Sequence, residues 1–368
     1  MWAQTPAPPA APDAKPEAAA AAAASAAPAP APEWSVGPIT FSGMIDVYYS
    51  FNANHPASGT NNLRNFDVKA NQFGLNMAML TLEHTADPIG FHIDFGFGKT
   101  FEIIHATEKA PDALRYIKQG YITIKPPKGK GFQLDIGKFV TAAGAEVIET
   151  KDNWNYSRSI LFAYAIPYYH FGIRTQMPVG KYFTGGVQLV NGWNNVEDNN
   201  SGKTLGLTSV VSGKKATWST NYYAGPEKDN TNKGIRQLFD TTLLLNPSPK
   251  ASFYINYDYG HEKNIGLGSV HWTGIAGAAR FQVTDIFAIS PRIEWFNDSA
   301  GFTTGAKQKI KEFTLTAEFK LKEGLLMRGE YRRDWSDTAY FDRGFRNGVY
   351  KNQDTLLAGF VAFFGPKR

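Results

Sequence analysis

Residues 41–51 read FSGMIDVYYSF. Phe41, Gly43, Ile45, Val47, Tyr49 and Phe51 fall on one side of an extended chain, and Ser42, Asp46 and Ser50 lie between them on the other. Successive side chains of a strand point to opposite faces, so this period of two describes a strand with one oily and one wet face. In a soluble sheet the oily face turns into a core. In a membrane barrel it turns out to lipid, and the wet face lines a lumen.

The same alternation recurs along the chain. Spans near 39–53, 71–84, 90–100, 113–125, 131–140, 166–177, 181–193, 203–213, 215–225, 235–246, 250–261, 269–283, 286–297, 309–321, 325–335 and 353–364 read as strands, 16 in all. The clearest are FHIDFGFGK, with Phe91, Ile93, Phe95 and Phe97 on one face, and EFTLTAEFKL. In the latter Phe313, Leu315, Ala317, Phe319 and Leu321 oppose Glu312, Thr314, Thr316, Glu318 and Lys320.

Every second connection is short: TADPI, PPKGK, MPVG, the break at Ser212 to Lys214, NPSP, VTD and LKEG. The others read as long and polar. That parity is how a transmembrane up-and-down barrel is built, with tight turns on the periplasmic side and extended loops outside, and it predicts both termini in the periplasm. Aromatic rings on the oily face form two belts, as membrane interfaces favour. Phe41, Phe91, Phe132, Phe183, Phe253, Phe287, Phe319 and Phe363 mark the inner ends of strands. Tyr49, Trp193, Tyr222, Tyr257, Tyr259, Trp295, Tyr331 and Trp335 mark the outer ends.

The wet faces carry charge. Arg328, Glu330, Arg332 and Asp334 share one, and Ser290, Arg292 and Glu294 share another. Sixteen strands enclose an aqueous channel in which such groups are hydrated, so the expectation is Asp46 toward lumenal water and Phe41 to Phe51 toward lipid. The fold class predicted is all-β: a transmembrane antiparallel up-and-down barrel over residues 39–368, preceded by a disordered Ala/Pro-rich tail over residues 1–38.

Composition narrows the function classes. The 368 residues are 43% hydrophobic and 14% aromatic, with no cysteine, which removes disulfides, thiolate nucleophiles and Cys-ligated metals. Mean hydropathy of -0.32 excludes a polytopic helical membrane protein. The net charge of +5 is spread along the chain, so no nucleic-acid partner is expected. The first 33 residues are almost all Ala and Pro, a linker composition, and Trp2-Ala3-Gln4 reads as the stub of a cleaved export signal. FGFGKT at 95–100 has Ile93 where a phosphate loop needs glycine, and the seven His include no pair at helical metal spacing. EDNNSG at 197–202 reads as a solvated loop tip rather than a calcium loop. No cofactor, no metal and no catalytic residue is expected.

The longest connection, about residues 141–165, lies in the run GKFVTAAGAEVIETKDNWNYSRSILFAYAIPYYHFGIRT. Gly137-Lys138-Phe139, Thr141, Gly144, Glu146, the block Asn155-Tyr156-Ser157-Arg158-Ser159, Phe162, Pro167, His170 and Gly172 resemble the OmpL-like β-barrel porin family. The opening strand FSGMIDVYYSFN is of the same type. One departure is the end of the last strand, TLLAGFVAFF, which runs on into Gly-Pro-Lys-Arg where such barrels commonly stop on an aromatic residue. The resemblance implies an outer-membrane porin, and the third long loop of general porins folds into the lumen. This loop suits that place, with an apolar stretch Ile160 to Ile166 to pack and charges to wet.

A pore constriction is therefore expected where Glu146, Glu149, Asp152 and Arg158 of the loop meet the wall residues Arg174, Arg292, Arg328 and Arg332, with weak ion selectivity. The function expected is a water-filled channel for passive diffusion of small hydrophilic solutes or ions. Its partners are outer-membrane lipid and, as a homo-oligomer, further copies of the chain. A substrate-specific uptake channel, an outer-membrane hydrolase and an adhesin are the alternatives.

Overall fold

The computed structural model describes residues 34–109, 112–264, 268–322, 324–344 and 348–366. Residues 1–33 of the expected tail, with the stub expected at Trp2-Ala3-Gln4, lie outside the described residues; Ser35 and Val36 pair with Thr40 and Ile39, so the disordered segment expected over residues 1–38 does not reach its expected end. Sixteen long strands follow one another: β1 (Ile39–Asn52), β2 (Gln72–His84), β3 (Ile89–Phe97), β4 (Ile117–Ile124), β5 (Gln133–Val140), β6 (Tyr169–Val179), β7 (Phe183–Val190), β8 (Thr204–Ser212), β9 (Ala216–Lys228), β10 (Thr231–Ser248), β11 (Ala251–Asn264), β12 (Gly268–Gln282), β13 (Phe287–Asp298), β14 (Gln308–Lys322), β15 (Leu325–Ser336) and β16 (Asn352–Phe364). Each pairs antiparallel with the next, and β16 closes on β1 with Val361 opposite Asp46 and Leu357 opposite Ser50. A closed barrel leaves no strand edge unpaired, which a hydrocarbon environment requires.

The alternation read from the sequence is the alternation of the wall. On β1, Ile45, Val47 and Phe51 face outward, while Asp46, Tyr48, Ser50 and Asn52 are buried inside. On β14, Leu315 faces out and Glu312, Thr314, Thr316 and Glu318 face in. Two rings depart from the belts expected of them. Phe363 shares the inward parity of Leu357 and Val361 and packs on their cluster. Trp193 sits beyond β7, edge-on to the interior Trp272 with centroids 6.3 Å apart.

The seven short turns hold, but two of the connections expected to be long do not. β9 and β10 continue past the expected break until Lys228 pairs with Thr231, and β11 and β12 continue until Asn264 pairs with Gly268. Asn230, at φ 58, makes the first reversal in two residues. Above the bilayer both faces of a strand are wet, so these extensions are polar throughout and read as loop.

Three long connections turn inward. Residues 53–71 carry Leu63 and Phe66. Residues 98–109 carry helix α1 (Lys99–Ile104), where the third strand was expected to run to residue 100; the fourth, expected from 113, begins at Ile117 after a single tight turn over 112–116. Residues 141–168 carry helix α2 (Ile160–Tyr164), capped by Ser159, whose hydroxyl accepts from the Phe162 N–H at 3.0 Å. With Phe341 of a small hairpin in the last loop, they form an apolar core inside the barrel near the long-loop rim. Its wall side is Tyr223, Leu238, Trp272, Ala276, Phe296 and Ile310. Hydrated charge was expected through the whole lumen, and in this half it is replaced by side-chain packing.

Candidate functional site

The lumen is the candidate site, and the loop over residues 141–168 occupies it. Ile160, Leu161 and Phe162 are buried in the internal core, each contributing about 1.5–3 kcal/mol toward seating the loop. The wall is shaped to receive it. A Cβ at Gly359 of β16 would stand 2.3 Å from the Tyr156 ring, and one at Gly274 of β12 would stand 2.7 Å from Leu161 Cδ1.

Polar contacts fix the loop more closely, and most of them reach its backbone. Arg328 donates to the carbonyls of Thr150 at 2.6 Å, Asn153 at 2.5 Å and Asn155 at 3.2 Å, and its other side is held by Glu318. Arg292 donates to Ser157 O at 2.7 Å and Arg332 to Arg158 O at 2.6 Å. In return, wall carboxylates collect loop N–H groups. Glu330 accepts from Tyr156 at 2.6 Å and Ser157 at 3.0 Å, and Glu294 accepts from Ile160 at 2.7 Å and Leu161 at 3.3 Å, at the start of α2. Buried backbone groups without water need such partners. Between them the two signs of wall charge supply donors and acceptors to one strip of irregular chain.

Each residue expected at the constriction has a definite place. Glu146 pairs with Arg292 at 2.6 Å and accepts from Ser159 N at 2.6 Å. Arg158 turns back on its own loop, donating to Val147 O at 2.8 Å, Ile148 O at 2.7 Å and Tyr156 O at 2.5 Å. Arg292, Arg328 and Arg332 face inward as parity requires, yet each is at most 1% exposed. Glu149 reaches Lys118 of β4, which also pairs with Asp94 at 2.9 Å. Two residues stand apart from the loop–arginine contact. Arg174 pairs with Asp135 at 2.8 Å and lies over the Phe139 ring at 4.4 Å, on the β5–β6 wall. Asp152 is 41% exposed beside Lys151. Lys118, Asp240, Glu294 and Glu330 seat the loop without belonging to the expected set; their inward parity was legible, their loop partners were not.

A second anchor holds the loop of α1. His105, at the end of that helix, directs Nδ1–H to Phe101 O at 2.8 Å, which leaves Nε2 to accept from Lys138 Nζ at 2.8 Å. That geometry requires a neutral imidazole, and burial, reinforced by the Lys138 charge, holds His105 down at about 4.

The model of the family described as "Putative beta-barrel porin-2, OmpL-like" matches residues 38–364. Among solved structures the chain is similar to an anion-selective porin from Comamonas acidovorans, with 11% identity, 89% of this chain and 99% of that one covered and a TM-score of 0.60. It is similar to Salmonella typhi OmpF in complex with daunomycin, with 11% identity, 89% and 97% coverage and a TM-score of 0.58. It is also similar to in-vitro folded OmpT, an outer membrane protein of Vibrio cholerae, in its trimer form, with 13% identity, 89% and 99% coverage and a TM-score of 0.57. At these identities the likeness is one of fold. No curated protein matches the chain.

Proposed function

The chain belongs to the OmpL-like porin-2 family of outer-membrane β-barrels, and from that membership we propose that it passes small hydrophilic solutes by passive diffusion, through a lumen whose width is set by the 141–168 loop. The observation that supports this reading is the wall's grip on the loop. Arg292, Arg328, Arg332, Glu294 and Glu330 are engaged by loop backbone and so act on the passage by fixing its shape. Asp152, exposed, and its half-buried partner Lys151 are the loop charges a solute meets. The N-terminal tail, in this reading, extends from the short-turn rim into the periplasm, and the barrel self-associates.

A planar-bilayer recording tests the proposal. The purified chain should give discrete conductance steps, and deletion of Ile160 to Ile166 should enlarge them. Absence of steps in both proteins would end the diffusion-channel reading. A second reading, a substrate-specific uptake channel, is favoured by how completely the mid-lumen charges are packed. It predicts that one solute class suppresses ion current at concentrations where others do not.

A further inference from the structure

The chain carries a net charge of +5, but its buried charges have the opposite sign. Among the described residues, 16 buried carboxylates face 8 buried lysines and arginines. Many of the carboxylates are accounted for by the arginines and by loop N–H groups. One pair on the wall between β10 and β11 has no cationic partner among the described residues.

Asp240 and Asp258 are register partners on these neighbouring strands, both 0% exposed, with their carboxyls facing each other across the ladder. The donors to Asp240 are neutral: Gly144 N at 3.0 Å, Asn221 Nδ2 at 2.7 Å and Asn256 Nδ2 at 2.9 Å. Asn256 spends its other hydrogen on Thr241 O at 3.3 Å and its own oxygen on Ala145 N at 3.3 Å. Asp258 lies beside Asp240 and Asn256, but neither of its oxygens receives a well-aligned hydrogen bond. On the same face of β10, toward the short-turn rim, two more buried oxygens lack a partner, Thr242 Oγ1 and Asn246 Oδ1. Buried unpartnered oxygens are rare because each forfeits its hydration, and two adjoining carboxylates add mutual repulsion. A row of hard oxygen atoms with surplus negative charge is the donor set of a hard cation.

We propose that Asp240 and Asp258 form a cation site on the lumenal wall, holding a small divalent cation more tightly than a monovalent one, and that the unpartnered strip below it is the route by which cations leave. The inference rests on the channel reading for the route alone; the site stands on its own geometry. With two carboxylates and few further ligands the affinity is weak, roughly millimolar, as transit requires. The pore therefore prefers cations, against the sign of the chain's total charge.

The test uses the full chain refolded in detergent, with folding checked by heat-modifiable migration, and terbium luminescence as the readout. Tb³⁺ should bind saturably and be displaced by Ca²⁺, and Asp258→Asn, which removes no loop anchor, should weaken binding roughly tenfold or more. Asp342→Asn, in the last loop, should leave it unchanged. In bilayers under a KCl gradient, the reversal potential should indicate cation preference and move toward zero in Asp258→Asn. Equal Tb³⁺ binding by wild type and Asp258→Asn, or no saturable binding at neutral pH because the pair shares a proton instead, would overturn the site. A terbium difference without any current would uphold the site and remove the channel reading.

Discussion

Tyr156 donates its phenolic hydrogen to Asp46 across 2.5 Å, joining the middle of the inserted loop to the first strand of the barrel. The same carboxylate receives Asn76 Nδ2 at 2.7 Å and the Thr150 hydroxyl, so three segments meet at one side chain. Burial and the adjoining carboxylate raise the Tyr156 phenol well above its ordinary range, so it remains a donor at any physiological pH. Tyr156→Phe should cost about 1.5–3 kcal/mol, read as a lower denaturation midpoint, and should raise conductance as the loop loosens. An unchanged midpoint and current would remove this bond from the account of the loop.

Arg328 satisfies three loop carbonyls, and replacing it strands all three. Arg328→Met should increase conductance and render the 150–158 segment cleavable by protease from the lumen. The double replacement of Arg328 and Arg332 should also shift the reversal potential toward cations, more at low salt than at 1 M, where the screening length is about 3 Å. A double variant with wild-type current and selectivity in both salts would contradict it.

The loop of α1 should release in acid. His105 is depressed in the folded state to about 4 against an ordinary value of 6.5, so the anchored form excludes a proton that the released form binds. Its contribution is whole above about 6.5, declines as pH falls and is gone below about 4. The groups around it are Lys138, the Tyr169 ring at 5.3 Å, Glu108 and Arg115, and of these Glu108 alone opposes the shift. Hydrogen-exchange protection of residues 99–105 should fall by up to tenfold per pH unit across that window. His105→Gln should flatten the dependence; a variant with the wild-type profile would place the proton elsewhere.

Leu315 and Thr316 are neighbours with opposite surroundings. Leu315 is 41% exposed on the outer face, and Thr316 is buried, accepting from Asn155 at 2.8 Å and donating to Glu330 at 2.7 Å. Leu315→Arg should abolish assembly into bilayers, at a cost of roughly 2–4 kcal/mol near the midplane. Thr316→Arg should assemble but displace the loop, giving a folded barrel with altered current. Equal folded yields and equal currents would mean that the two positions do not face different media.

Tags test the orientation. An epitope inserted at Asn230, in the two-residue turn between β9 and β10, should be reached by antibody on intact cells, and one at Lys250, between β10 and β11, should not. Gly344 is a poor insertion point because its N–H bonds His55 O at 3.0 Å and ties the last loop to the first. Labelling at Lys250 alone would invert the barrel.

The wall was legible in the sequence because each of its faces meets one uniform medium: Phe313 to Leu321 and Glu312 to Glu318 repeat the same two environments residue after residue. Arg292, Arg328 and Arg332 were placed inward by that parity alone. What parity lacks is the third dimension. Arg328 meets Asn153 at a separation of 175 residues, and nothing local announces the meeting. Trp193 and Phe363 were assigned to lipid because a ring at a strand end is equally apolar toward lipid or toward an internal core. Asp152 was grouped with Glu146 by spacing, yet the loop's path turns one into the wall and the other into the open.

The carbonyls gripped by Arg292, Arg328 and Arg332 are common to every amino acid, and the N–H groups gripped by Glu294 and Glu330 to every one but proline. Side chains at the loop's exposed positions can therefore be exchanged while its seat stays the same. The barrel is a holder for an interchangeable insert, and a change of diet requires new letters at Lys151 and Asp152 rather than a new wall.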